Sequence, residues 1–261
     1  MVAAASAPVE LDLRERLDVD APLALADAHR SLPVGARLRI LAPAAWGPDH
    51  VRDLVVGAGC SPERWTRRPT RPAARSSGMV DTLAVLAVRE RQLPDVVGPG
   101  MRLLLVGLNP SLYSADAGVG FARPGNRFWP AALEAGLGTA PRDSRSLLLD
   151  HHVGMTDLVK RATVGAAELS VAEYVAGLAR LERLCAWLQP GAACFLGLDG
   201  WRKAVDRRAV AGWQDRTVGG VAAYVMPNPS GLNAHATVSS LAEHLAAAAA
   251  GPSRPAGARL R

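Results

Sequence analysis

The chain has 261 residues, 49% of them hydrophobic, and carries 30 Lys and Arg against 24 Asp and Glu for a net charge of +6. It is long enough to bury one large core or a medium and a small one. No apolar run reaches the roughly 18–20 uncharged residues of a membrane span, and MVAAASAPVELDLRER has no basic segment followed by a hydrophobic one, so a soluble, cytoplasmic protein is expected. The three cysteines, Cys60, Cys185 and Cys194, stand far apart in no CxxC or Cys/His spacing, which argues against a disulfide framework, a zinc site or an iron–sulfur cluster. The positive charge is almost wholly arginine, since Lys160 and Lys203 are the only lysines. It permits a polyanionic partner without demanding one.

In chain order, LADAHRSLPVGARLRILAPA predicts a helix end, a turn and a strand, and DHVRDLVVGAG a following helix. A Leu-Pro-x-Gly turn into a strand, then a helix ending in Ala-Gly, resembles the C-terminal part of a Rossmann-type methyltransferase. The glycine-rich cofactor loop of such enzymes lies earlier, where too little chain precedes to hold it, so a degenerate remnant is expected. Proline, arginine and serine then replace apolar periodicity over Thr66 to Gly78, which reads as a linker. Met79 to Leu93 predicts a helix, broken at Gly98 to Gly100 before a strand over Arg102 to Gly107.

Asn126 to Gly136 is helical in pattern, with Pro130 near its start. Ser170-Val-Ala-Glu173 is a capping box opening a long amphipathic helix to Trp187. A second strand over Ala193 to Leu198, a short helix over Trp201 to Arg208, a third strand over Val221 to Met226 and a helix over Thr237 to Ala250 complete the pattern. Strands separated by helices predict an α/β fold with a mainly parallel sheet. The expected division is an N-terminal α/β segment and linker over 1–75, a main domain over 76–250 and a disordered basic tail over 251–261.

Ligands of such sheets bind beyond the carboxyl ends of the strands. The first strand ends in Asn109-Pro110-Ser111 and the third in Asn228-Pro229-Ser230-Gly231-Leu232, so two asparagine–proline turns are expected to face one crevice, with a glycine- and aromatic-bearing loop, Gly118 to Trp129, between them. Either turn alone is an ordinary way to leave a strand.

GLNPSLYSADAGVGFARPGNRFW, GMTDLVKRAT and NPSGLNAHAT are together similar to the mismatch-specific uracil/thymine DNA glycosylase family of the uracil-DNA glycosylase superfamily, over roughly Gly98 to Ala248. The resemblance implies a three-layer α/β/α domain acting as a monomer on double-stranded DNA, with no cofactor or metal. It implies a monofunctional enzyme of base excision repair that flips a mispaired or damaged pyrimidine (uracil, thymine or ethenocytosine opposite guanine) out of the duplex and hydrolyses its N-glycosidic bond. Two other classes stay open: a lesion-binding protein without catalysis, and an S-adenosylmethionine-dependent methyltransferase.

Glycosidic cleavage builds oxocarbenium character on the sugar while the base leaves as an anion, so the site needs an aligned water and donors near the base. The resemblance gives Asn109 the water, which an amide oxygen can hold without titrating. It gives Gly107, Leu108, Ser111 and Asn228 the base pocket and Phe121 the face that stacks on the extruded base; a core anchor is the other reading of Phe121. Ser230, Gly231, Leu232, Asn233 and His235 match the segment that enters the duplex, with Leu232 as the wedge or, alternatively, a buried end-of-strand leucine. Relatives commonly carry an arginine after this segment, where Ala234 and His235 stand here, so His235 is either a substitute contact or a solvated loop residue. Asparagine in both places where the most active relatives hold aspartate and histidine implies slow cleavage. Lys160 and Lys203 lie outside both motifs, so no lyase step is expected.

Overall fold

The computed structural model describes residues 7–71 and 78–252. It contains two sheets. The first is built from β1 (Val9–Asp12), β2 (Arg37–Pro43), β3 (Cys60–Thr70) and β4 (Val80–Arg89) in the order β1-β2-β4-β3, with β1 and β2 parallel and β4 antiparallel to both its neighbours. Helices α1 (Ala21–Ser31) and α2 (Pro48–Gly57) cover one face, where Leu38, Ile40, Val51, Val55, Val85 and Ala87 form the core.

Two expectations fail here. Thr66 to Thr70 is not linker but the second half of β3, and 72–77 of that supposed linker lie outside the described residues. Met79 to Leu93 is not a helix: its apolar run is β4, paired with β2 from Thr82 to Val88 and with β3 along its length. A short apolar run bounded by charges fits either period, and pairing on both sides decided it. In β4, Leu83, Val85 and Ala87 point into the helix-covered core, as a two-residue period requires.

A division at 75/76 therefore cuts a sheet, because β4 pairs with strands on the other side of that line. A chain starting at Ser76 would keep β4 without either partner and expose Val85 and Ala87, which are fully buried. Such a chain is expected to be insoluble or aggregated, whereas deletion through Gln92 removes the whole first sheet; solubility and gel filtration of the two truncations check this.

The second sheet has the order β6-β5-β7-β9-β8, from β5 (Leu103–Gly107), β6 (Val153–Asp157), β7 (Ala193–Leu196), β8 (Gly212–Trp213) and β9 (Ala223–Met226). The first four strands in that order run parallel and only β8 is antiparallel, so the mainly parallel α/β/α fold holds. Leu104 and Val106 face one layer with α6 (Val171–Leu188) and α7 (Leu198–Ala204). Leu103 and Leu105 face the other with α4 (Phe128–Glu134) and α8 (Val238–Ala250). Burial on both faces is why β5 reads as an unbroken apolar run. The Ser170 capping box opens α6 as expected. The final nine residues of the expected basic tail lie outside the described residues.

After β5 the chain passes to β6 at one edge, then crosses back to β7 on the other side of β5. The reversal opens a crevice at the carboxyl ends of β5 and β7, the place where open parallel sheets bind ligands.

Candidate active site

β5 ends at Gly107, and Leu108-Asn109-Pro110 turns the chain into the short helix α3 (Leu112–Ala117), which Ser111 caps by accepting from the Ser114 amide at 3.1 Å. The Asn109 amide nitrogen donates to Thr163 Oγ1 at 2.8 Å, the Arg161 carbonyl at 3.0 Å and the Pro110 carbonyl at 3.2 Å. Two of these partners can only accept, so the NH₂ end must face them. Asn109 Oδ1 is thereby left as an acceptor for the crevice that Asn109 lines, with no partner among the described residues.

The two asparagine–proline turns do face one crevice, lined by Leu108, Asn109, Ser111, Phe121, Asn228 and Ser230 among others. Phe121 sits at φ +58°, a left-handed conformation uncommon for a phenylalanine. The loop is held there from both ends: the Trp129 indole donates to the Gly120 carbonyl at 2.9 Å, and the Ala122 amide donates to Ser114 Oγ at 3.3 Å. One face of the half-buried Phe121 ring packs on Phe128, with centroids 4.4 Å apart. The residue is thus both an anchor and a crevice wall.

Asn228 Oδ1 accepts from the Ser230 amide at 2.9 Å, which leaves the Asn228 NH₂ as a donor on the crevice side. Beyond it Gly231, Leu232 and His235 are exposed, Leu232 at 91%, so Leu232 is not a buried end-of-strand residue. His235 lies on the same exposed loop and its backbone amide donates to Asn233 Oδ1 at 3.3 Å. Gly231 is required by space, because a Cβ there would lie 2.7 Å from the Gly125 carbonyl oxygen.

Sequence reasoning passed over two residues of this site. Arg127 holds the exposed loop: its backbone amide donates to Pro229, and its guanidinium donates to the carbonyls of Gly231 at 3.1 Å, Asn233 at 3.0 Å and Ala236. Nothing in NRFW distinguishes a loop clamp from a solvated arginine. The second is Asp157, the last residue of β6, a strand that was not expected. Its carboxylate lies against Gly107, where a Cβ would collide with it and press on the Phe121 ring. Asp157 lines the crevice with Asn109 and makes no side-chain hydrogen bond or ion pair among the described residues. Burial pushes its carboxyl up to about 6, with Asp95 adding to the rise and Lys160 and Arg180 opposing it.

Behind Asp157 is a buried ionic cluster. Asp95 accepts from Lys160 Nζ at 2.6 Å, Thr156 Oγ1 at 2.6 Å and Arg180 Nη1 at 2.7 Å. Burial disfavours the Asp95 carboxylate, yet Arg180 and Lys160 hold its pKa below the usual range. Neither Lys160 nor Lys203 lines the crevice among the described residues; Lys203 donates to the Tyr174 hydroxyl at 3.3 Å.

The fold and crevice define an α/β/α protein with a recess at a strand-order reversal, lined by an amide, a carboxylate and an aromatic ring. A family model described as the uracil DNA glycosylase superfamily matches residues 94–249. The chain belongs to that superfamily, and with it come a DNA glycosylase activity, hydrolysis as its chemistry, a role in DNA repair and DNA as its partner. The match begins just past β4 and spans the whole second sheet.

Proposed function

We propose that the protein is a monofunctional, mismatch-directed glycosylase that hydrolyses the N-glycosidic bond of uracil, thymine or ethenocytosine opposite guanine in double-stranded DNA, acting as a cytoplasmic monomer. The observation that carries this reading is the Asn109 amide, whose nitrogen is held by three acceptors so that Oδ1 faces the crevice that Asp157 shares. Asn109 Oδ1 accepts a hydrogen bond from the attacking water and holds it for the sugar. The Asp157 carboxylate takes the water's proton as attack proceeds and offsets the positive charge growing on the sugar. Phe121 stacks on the extruded base, and the Asn228 NH₂ donates to it as charge develops on the leaving pyrimidine.

Asp157 also alters the expectation of slow cleavage, because it returns to the crevice a carboxylate that neither asparagine–proline motif contains. A Schiff-base step has no support, since Lys160 is tied up in the buried cluster. Nor does a methyltransferase: the segment between β1 and α1, LRERLDVD, runs from Leu13 to Asp20 without a glycine to cradle a cofactor. The first sheet is read as a remnant of such an enzyme, put to a structural use.

The deciding experiment is single-turnover cleavage of duplexes carrying uracil, thymine or ethenocytosine opposite guanine, with adenine-opposite controls. Alkali-sensitive abasic sites without direct strand scission are expected. Tight binding with no abasic product would mean a lesion-binding protein instead.

Leu232 fits the wedge, since its side chain is exposed on a loop that Arg127 braces. Filling the gap left by a flipped base offsets an unstacking cost of a few kcal/mol. Leu232→Ala is therefore expected to slow excision from a duplex by roughly 10-fold or more while sparing a base already unpaired. With the side chain out of the core, thermal stability should stay within about 0.5 kcal/mol. An equal loss on single- and double-stranded substrate would remove Leu232 from that role.

A further inference from the structure

We infer that Asp95 is a positioning residue for Asp157, and that through it the N-terminal sheet domain takes part in building the active site. The inference rests on the reading of Asp157 given above.

Asp95 lies in the segment that leads from β4 to β5. Its backbone amide donates to the carbonyl of Gly57, the last residue of α2, at 2.7 Å. The next residue, Val96, exchanges two backbone hydrogen bonds with Met155 in β6, at 2.9 and 2.8 Å. Two consecutive residues thus fasten the first domain to the strand that ends in Asp157. The fit is close: a Cβ on Gly57 would stand 2.5 Å from Asp95 Oδ2.

The side chain repeats the link. Asp95 gathers Thr156, Lys160 and Arg180, and Arg180 Nη2 in turn donates to Thr156 Oγ1 and to the Asp157 carbonyl, both at 2.9 Å. The side chains of Asp95, Lys160 and Arg180 are each 6% exposed. A buried group of this kind is costly to desolvate and is often matched in stability by an apolar replacement, so stability alone does not account for it. One carboxylate serves two cations, leaving one positive charge in surplus. The ionised Asp157 carboxylate is the adjacent group that balances it.

The charged groups around Asp157 come from several elements: Lys160 from the loop after β6, Asp95 from the segment before β5, and Arg180 from α6. Arg30 of α1 and Arg123 of the loop after α3 line the recesses on either side of it. Removing Lys160 takes away a charge that favours ionised Asp157. Removing Asp95 takes away one that opposes it and leaves Lys160 and Arg180 unpaired.

The test uses the full chain. The Asp157 carboxyl is followed by ¹³C NMR titration, its resonance identified by its absence in Asp157→Asn, alongside the pH profile of single-turnover excision from a guanine–uracil duplex. Lys160→Met is expected to move the Asp157 titration and the acidic limb of the profile to higher pH, and Asp95→Asn to lower pH. At a pH below the limb the two variants should differ from the parent in opposite directions, each by about threefold, which corresponds to half a pH unit. Gly57→Ala, which pushes on Asp95 from the first domain, is expected to act in the direction of Asp95→Asn but by less. If Asp95→Asn fails to fold, Gly57→Ala decides, because it presses on the Asp95 carboxylate while leaving every charge of the cluster in place. Variants that lower stability or rate but leave both titrations where the parent has them overturn the inference. A parent that excises no base, with the NMR shifts present, overturns the functional reading and leaves the coupling of Asp95 to Asp157 standing.

Discussion

Asp157→Asn is expected to cut single-turnover excision by roughly 10²- to 10⁴-fold, the range over which a positioned proton acceptor contributes. The amide is nearly isosteric, so Gly107 and Phe121 keep their places and only the charge and basicity are lost. With the carboxyl at about 6, the parent's rate should be flat above that pH and fall as pH drops through it, since the protonated group neither accepts a proton nor opposes positive charge on the sugar. The variant's residual rate should show no such limb.

The same substitution should raise stability. Between the ordinary carboxyl value of 3.8 and the folded value of about 6, the folded protein binds this proton more tightly than the unfolded chain does, so the group's contribution to stability declines as pH rises through that window. Above it the ionised side chain costs on the order of 1–3 kcal/mol, which asparagine relieves. Denaturant unfolding at pH 8 and pH 4 checks this: Asp157→Asn should be the more stable protein at pH 8, with the gap closing towards pH 4. A stability gain joined to a loss of rate is the signature of a group held in place for chemistry. Full activity in Asp157→Asn would remove it from the mechanism.

Asn109→Ala is expected to lose roughly 10²-fold or more in the same assay while binding to mismatched duplex changes little. Two effects combine. The water loses its acceptor, and Arg161 and Thr163 lose the donor that ties their segment to the first motif. Asn109→Asp separates them: it restores an acceptor for the water but turns an oxygen towards two carbonyls, so the side chain is expected to rotate or take up a proton there. A pH-dependent rate in Asn109→Asp, absent in Asn109→Ala, would support this account. Near-parental cleavage by Asn109→Ala would show that Asp157 alone handles the water.

Both predictions depend on different levels of information. Strands β5, β7 and β9 are short apolar runs, buried on both faces, and each is legible because a parallel sheet between helix layers demands such runs. The capping box at Ser170 marks the start of α6 through local hydrogen bonds that need no distant partner. Asn109, Phe121 and Asn228 are legible for a similar reason: each stands in a motif a few residues long, at a strand end or in a glycine-flanked loop.

The tertiary structure decided what depends on partners far away in the chain. Whether Val80 to Arg89 is helix or strand turns on β2 and β3, whose pairing no local period reveals. Asp157 is an unremarkable acidic residue in GMTD until β6 pairs with β5 and sets it against Gly107. Its raised pKa is a sum of burial and of charges at Asp95, Lys160 and Arg180, brought together across as many as 85 positions of sequence. The sequence by itself determined the class of fold, the two asparagine–proline turns and the superfamily they belong to. Folding alone determined which carboxylate shares their crevice, because a carboxyl's acidity is a property of its surroundings, and those surroundings come from separate stretches of chain.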